Sequence, residues 1–167
     1  MKEFQASHWL ESSKNVENLI NLTLSLINPG QFQCGLQMLK KLRRLKNTKK
    51  VAVYWQSVFS GVSVIANRIT PIHRDKHGRP EWFDMLANYC RSGSSPRFLV
   101  NPIGLDLDYS TGTVIGFCGN ILEHQVRAWG EGDRVCFAHF MRDAVREKLQ
   151  VPFSGWVELS TYKEHLS

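Results

Sequence analysis

His73-Arg74-Asp75, in the stretch ITPIHRDKHGRPEWFDML, puts an imidazole and a carboxylate two residues apart. On an extended backbone, residues at that spacing project to the same side, so His73 and Asp75 can reach one point. A second histidine would complete a two-histidine, one-carboxylate face, a ligand set that leaves open positions on an iron(II) ion. His124, in ILEHQV, is the best candidate. It follows the strand-like GTVIGFCGN and precedes another such segment, GDRVCFAHFMR, which carries Arg134 near its start. Alternation then puts Arg134, Cys136, Ala138, Phe140 and Arg142 on one side. A guanidinium a short hairpin beyond a metal-binding histidine could grip a dicarboxylate bidentately.

Each piece also has a plainer reading. His73 and Asp75 could be turn residues, the aspartate bonding its own backbone. His124 could be a satisfied histidine at a strand end, and Arg134 half of a surface ion pair worth little. The order of the pieces is more specific than any one of them.

The elements that must position these residues can be read from the pattern. Val16 to Ile27 carries apolar residues at helical spacing, and Asn28-Pro29-Gly30 is a stop signal. A second helical pattern, FQCGLQMLKKLRRL, has an apolar stripe of Phe32, Leu36, Leu39 and Leu42, and a dense basic block from Lys40 to Lys50. After Lys50 the period changes. Val51 to Phe59, Gly61 to Ile69, Phe98 to Val100, Gly104 to Tyr109, Thr113 to Cys118 and Arg134 to Met141 are rich in β-branched and aromatic residues, as strands are. Trp82 to Tyr89 suits a short helix or a buried strand. Helices followed by many short strands suggest an α+β chain: a sandwich or jelly roll closed on itself, with the N-terminal helices packed outside.

At 167 residues the chain is expected to be one domain. Its parts would be a helical region over 1–50, a β core over 51–149 and a packing segment over 150–167, with Trp156 and Tyr162 as anchors. A hydrophobic fraction of 43% argues against wholesale disorder. No apolar run approaches the roughly 18 residues of a membrane helix, so no membrane association is expected. The start, MKEFQASHWLESSK, has no apolar signal region. Four scattered cysteines without a CxxC pair read as reduced thiols of an intracellular protein. A net charge of +6 favours polyanions, nucleic acid first. Nothing points to an obligate protein partner.

Three segments, GVSVIANRITPIHRDKHGRPEWFDML, GTVIGFCGNILEHQVRAW and GDRVCFAHFMRDAVREKL, resemble the TET/JBP family of iron(II)- and 2-oxoglutarate-dependent nucleic-acid dioxygenases. The likeness spans roughly Trp55 to Leu149 and is nearest to the fungal, transposon-associated branch. It implies a distorted double-stranded β-helix. It also implies that His73, Asp75 and His124 hold iron(II), and that Arg134 anchors the distal carboxylate of 2-oxoglutarate. Asn67 and Arg68, nearby in sequence, are candidates for the cosubstrate's other end. Phe140 matches an aromatic placed near the target base, where stacking on a flipped base would suit it, with a core phenylalanine as the alternative. His77 matches the histidine of the animal HRDxHN pattern, but Gly78 stands where those enzymes have asparagine, and Cys136 where they have serine. Arg74 is expected to point away from the two ligands, and Trp82 to Tyr89 to be a strand. Arg68, Arg74, Lys76, Arg79, Arg127 and Arg142 are candidates for phosphate contacts.

The function implied is oxidation of 5-methylcytosine to 5-hydroxymethylcytosine and beyond, with O2 as oxidant. The substrate would be duplex DNA with a flipped base, and the setting the nucleus. The basic run KKLRRLKNTKK is a candidate import signal. Two other readings stand beside this one. The same iron site could demethylate N6-methyladenine or a methylated RNA base, releasing formaldehyde. Alternatively, the chain could be an inactive nucleic-acid-binding module of the same fold.

Overall fold

The computed structural model describes residues 2–91, 96–153 and 155–164. Two compact units emerge, one of residues 1–60 with 143–167, the other of residues 61–142.

Among the described residues, the second unit is built of eight strands and one short 3-10 turn (Asn101–Ile103): β1 (Gly61–Ala66), β2 (Thr70–His73), β3 (Asp84–Cys90), β4 (Arg97–Val100), β5 (Leu105–Asp108), β6 (Val114–Phe117), β7 (His124–Val126) and β8 (Arg134–Phe140). They pair antiparallel into two four-stranded sheets, ordered β1-β8-β3-β6 and β2-β7-β4-β5. Successive strands from β1 to β8 therefore lie in alternating sheets apart from the β4–β5 hairpin, the winding of a double-stranded β-helix. The α+β expectation holds, and Trp82 to Tyr89 resolves to the strand β3. The core joins both inner faces, with Leu86, Phe117 and Cys136 from one sheet meeting Phe98, Val100 and Val126 from the other beside Tyr109. Phe98 meets Tyr109 and Phe117 edge-on at 5.4 and 5.2 Å, the arrangement aromatic quadrupoles favour.

The first unit is helical: α1 (Lys2–Ser12), α2 (Lys14–Ile27), α3 (Pro29–Arg44), α4 (Lys49–Ala52), α5 (Asp143–Lys148) and α6 (Leu159–Glu164). Asn28 closes α2 through its N–H to the Leu24 carbonyl and caps α3, its side chain accepting from the Gln31 N–H at 3.0 Å. Pro29 supplies the preset first helical turn. The buried arc of α3 runs through Gln31, Cys34, Gly35, Met38 and Leu39. Of the expected stripe only Leu39 is buried, with Phe32, Leu36 and Leu42 half-buried.

The strand expected over Val51 to Phe59 does not form; α4 and an irregular segment stand there. Side chains satisfy that backbone in place of a ladder. Arg43 donates to the carbonyls of Ala52 and Trp55, at 3.0 and 2.9 Å. Asn21 donates to the Gln56 carbonyl and accepts from the Val58 N–H. Tyr162 donates to the Leu26 carbonyl, an anchoring role, whereas Trp156 is 53% exposed. Residues 154 and 165–167 of the expected packing segment lie outside the described residues. No helix among the described residues is long and apolar enough to cross a membrane.

Candidate metal centre and its cavity

β2 and β7 pair so that His73 and His124 are direct cross-strand partners. Side chains opposite one another in an antiparallel pair share a face. Here the two rings lie 4.2 Å apart. Asp75, two residues past His73, reaches both: Oδ1 lies 3.6 Å from His73 Nε2, and Oδ2 lies 3.6 Å from His124 Nε2. One ligand atom from each of the three lies within 4.8 Å of the others.

The imidazoles are oriented for ligation. His73 Nδ1 meets the Pro71 carbonyl at 2.9 Å, and His124 Nδ1 meets the Leu122 carbonyl at 3.0 Å. A carbonyl oxygen only accepts, so each Nδ1 carries a proton and each ring turns its Nε2 toward Asp75. Nitrogen, nitrogen and oxygen on one side of a point suit a transition metal with open positions. Burial, first, holds the His124 imidazolium below its ordinary range; the His73 charge adds to this, while the Leu122 carbonyl and Asp75 oppose it. Phe98 stacks on the His124 ring at 5.6 Å and Phe117 meets it edge-on at 4.6 Å, so core packing fixes its plane.

Asp75 is set from below by a turn whose part in the site the sequence did not reveal. Its N–H donates to the Gly119 carbonyl at 2.9 Å. Asn120 donates to the carbonyls of Asp75 and Gly78, at 3.2 and 3.0 Å, tying the loop after β2 to the end of β6.

The triad opens into a cavity of about 380 Å³ that lies wholly within residues 61–142. Arg134 lines it and is 1% exposed. Its guanidinium carbon sits 5.1 Å from the Tyr109 ring and 5.5 Å from the Trp129 ring. One terminal nitrogen reaches the Arg68 carbonyl at 3.5 Å, while Nε is buried without a partner. No carboxylate among the described residues pairs with it. A buried guanidinium without an acid favours an anion entering the cavity beside it.

Asn67 does not line the cavity; its amide is consumed in holding β8. Asn67 stands at a φ of 50°. Its N–H donates to the Arg134 carbonyl at 2.8 Å, its Oδ1 accepts the Arg134 N–H at 2.7 Å, and its Nδ2 donates to Asp133 at 2.8 Å. Cys136 lines the wall, and its thiol meets the Tyr109 hydroxyl at 3.3 Å. Burial chiefly pushes both groups up, so both stay protonated.

Of the other expected residues, Phe140, Arg142, His77 and Arg68 line the same cavity. The Arg142 guanidinium lies 4.6 Å over the Phe140 ring. Arg127 is not brought there; it is exposed, and its N–H donates to the Arg97 carbonyl. Arg74 is among the residues that line the cavity and pairs with Glu123 at 3.4 Å. Arg79 pairs with Glu81 at 3.3 Å.

Two further lining residues escaped the sequence reading. His139 is fully buried, with Nδ1 3.3 Å from the Met85 carbonyl. Asp84, at the start of β3, is 9% exposed. Burial above all, then the Asp75 charge, pushes its carboxyl up to about 7, with Arg142 opposing. No hydrogen bond or ion pair satisfies it among the described residues. A lone acid inside the apolar run WFDML was the available signal.

A family described as the oxygenase domain of the 2OGFeDO superfamily, Tet_JBP, matches residues 2–143. Among solved structures, NgTET1 in complex with 5mC DNA aligns with a TM-score of 0.67 over 95% of this chain, at 14% identity. The chain spans 59% of that one. The likeness is one of fold. No curated protein sequence matches.

Proposed function

The chain belongs to the Tet_JBP family, the oxygenase domain of the 2OGFeDO superfamily, and from that premise we propose that it is an iron(II)- and 2-oxoglutarate-dependent dioxygenase. Its substrate in this reading is 5-methylcytosine in duplex DNA, oxidised to 5-hydroxymethylcytosine and further. One observation carries the reading: a buried guanidinium without an acid and a His-Asp-His face of converging donors line one cavity.

When bound, iron(II), 2-oxoglutarate and O2 supply an oxidation that yields succinate and CO2 and places one oxygen atom in a C–H bond. The residues hold the participants. His73, Asp75 and His124 would take the metal through Nε2, a carboxylate oxygen and Nε2. Arg134, fixed by Asn67 and flanked by Tyr109 and Trp129, would receive the far carboxylate of the cosubstrate in a bidentate contact. Phe140 and Arg142 offer a face and a cation to a base extruded from the duplex, an extrusion that costs a few kcal/mol. His77, Arg68, Arg74 and Lys76 are cations or potential cations for the flanking phosphates.

A second reading, N6-methyladenine, keeps the same iron site, and Asp84 does not separate the two bases. An acid in the wall suits a base with an exocyclic amine, and methylated cytosine and methylated adenine both have one. Hydroxylation of an N-methyl group would release formaldehyde. The inactive-module reading is disfavoured because all four groups of the site are present and oriented. Gly78 and Cys136 depart from the animal pattern. Nuclear residence follows from the substrate proposed.

The test is anaerobic loading with iron(II) and 2-oxoglutarate, then O2 and duplexes carrying either modified base, read by mass spectrometry of nucleosides. Oxidised cytosine that vanishes in His73→Ala and Arg134→Ala establishes the main reading. Loss of N6-methyladenine with formaldehyde establishes the second. No change in either base, with no metal-dependent cosubstrate binding, overturns both.

A further inference from the structure

The chain has no Asp or Glu from Asn18 to Arg74, and seven of the eleven residues from Lys40 to Lys50 are Lys or Arg. All seven are exposed. Two are committed to the fold: Lys41 donates to the carbonyls of Leu149 and Gln150, and Arg43 holds those of Ala52 and Trp55. Lys40, Arg44, Lys46, Lys49 and Lys50 have no counter-charge among the described residues. A row of like charges without acids repels itself and gains from an anionic partner.

Neighbours of this row in sequence line a largely apolar hollow of about 250 Å³. Met38, Leu39 and Leu42 of α3 form one wall, and Val51, Trp55 and Phe59 stand among the residues opposite. The Trp55 indole N–H is spent on the Phe59 carbonyl at 2.8 Å, which leaves the ring as apolar surface. Asn47, Thr48 and Val51 line the hollow and directly neighbour Lys46, Lys49 and Lys50 in sequence. Around it Val51, Val53, Leu45 and Tyr54 are 65%, 52%, 45% and 39% exposed. An apolar depression with a charged rim has the anatomy of a protein interface.

We propose that this hollow docks a short acidic segment of a partner protein, inserting one large apolar side chain while its carboxylates meet the rim cations. Charge complementarity selects an acidic partner, and concavity selects one with a side-chain anchor. A DNA duplex offers phosphates but nothing apolar to fill the hollow. A lipid surface is met by a protruding apolar ridge and would leave a depression empty. The inference lies outside the dioxygenase site and does not rest on the reaction proposed for it.

The experiment uses the full chain and a fluorescent peptide of Asp and Glu interspersed with two Leu and one Trp. A control peptide has those three residues changed to Ser at equal charge. Anisotropy titration is expected to show binding weakened at least about tenfold in the serine peptide, the loss typical of a removed anchor. Val51→Glu, at an exposed position, and separately the pair Lys49→Glu and Lys50→Glu, are expected to weaken it by a similar factor with unchanged circular dichroism. His73→Ala is expected to bind the peptide normally. Equal binding of both peptides overturns the proposal, as does binding unmoved by either variant. Displacement of the peptide by an unmodified duplex or by phosphatidylserine vesicles at lower concentration than unlabelled peptide also overturns it, and assigns the surface to that competitor.

Discussion

Gly119 lies against Asp75 with no room for a side chain between them. A Cβ on Gly119 would stand 2.8 Å from Asp75 Oδ2 and 2.5 Å from Asp84 Oδ2, distances real side chains do not reach. The Gly119 carbonyl meanwhile holds the Asp75 N–H. Gly119→Ala is therefore expected to fold and to displace the Asp75 carboxylate from its place between the histidines. Outer supports of this kind are typically worth about 10–100-fold in metal affinity. Anaerobic calorimetry with iron(II) should show a loss in that range, and unchanged affinity would remove Gly119 from the site's support.

Arg134 separates stability from function. Its guanidinium is buried without an acid, so the ligand-free protein gains little from the charge and Arg134→Met keeps much of its packing. Thermal melting of the ligand-free variant is expected to match or exceed the parent. Cosubstrate affinity is expected to fall more than about 100-fold, as befits loss of a bidentate charged contact. A merely structural arginine would reverse the two results.

The residues that could be read from the sequence were those whose type and order declare a chemistry: HxD, the distant histidine and the arginine of the last strand. Their supports depend on closeness across strands, which spacing does not show. Nothing in the 50-odd residues between His73 and His124 reveals that the two pair directly. Gly119 and Asn120 read as an ordinary turn until Asp75 is seen against them. Asn67 lies beside the site in sequence, but its amide is consumed in holding the start of β8. The β-branched run at Val51 misled because Arg43 and Asn21 satisfy its backbone, a tertiary override of local preference.

Asn67 offers a test of positioning. Its φ of 50° is one that glycine adopts freely, so Asn67→Gly keeps the turn and its backbone bond to Arg134 while removing the side-chain bonds to Arg134 and Asp133. Cosubstrate affinity is expected to weaken by about tenfold, roughly the 1.4 kcal/mol of one or two hydrogen bonds. Iron(II) affinity is expected to stay constant, because the triad lies on other elements. Asn67→Asp, which keeps the acceptor for the Arg134 N–H, should recover part of the loss.

Asp84 gives the metal-free protein a pH dependence of defined sign. Its folded carboxyl is raised to about 7 from an ordinary 3.8, chiefly by burial. Between those values the folded state binds more protons than the unfolded state, so stability falls as pH rises. This contribution is fully present below the unfolded value and is lost as pH climbs through about 7. Asp84→Asn, which removes the buried charge, is expected to raise the melting temperature of the metal-free protein at pH 8. Near pH 5 the two proteins should melt together, since Asp84 is then protonated. Melting curves across pH 5–8 decide it, and a variant less stable than the parent throughout would mean that the carboxylate is held by favourable contacts.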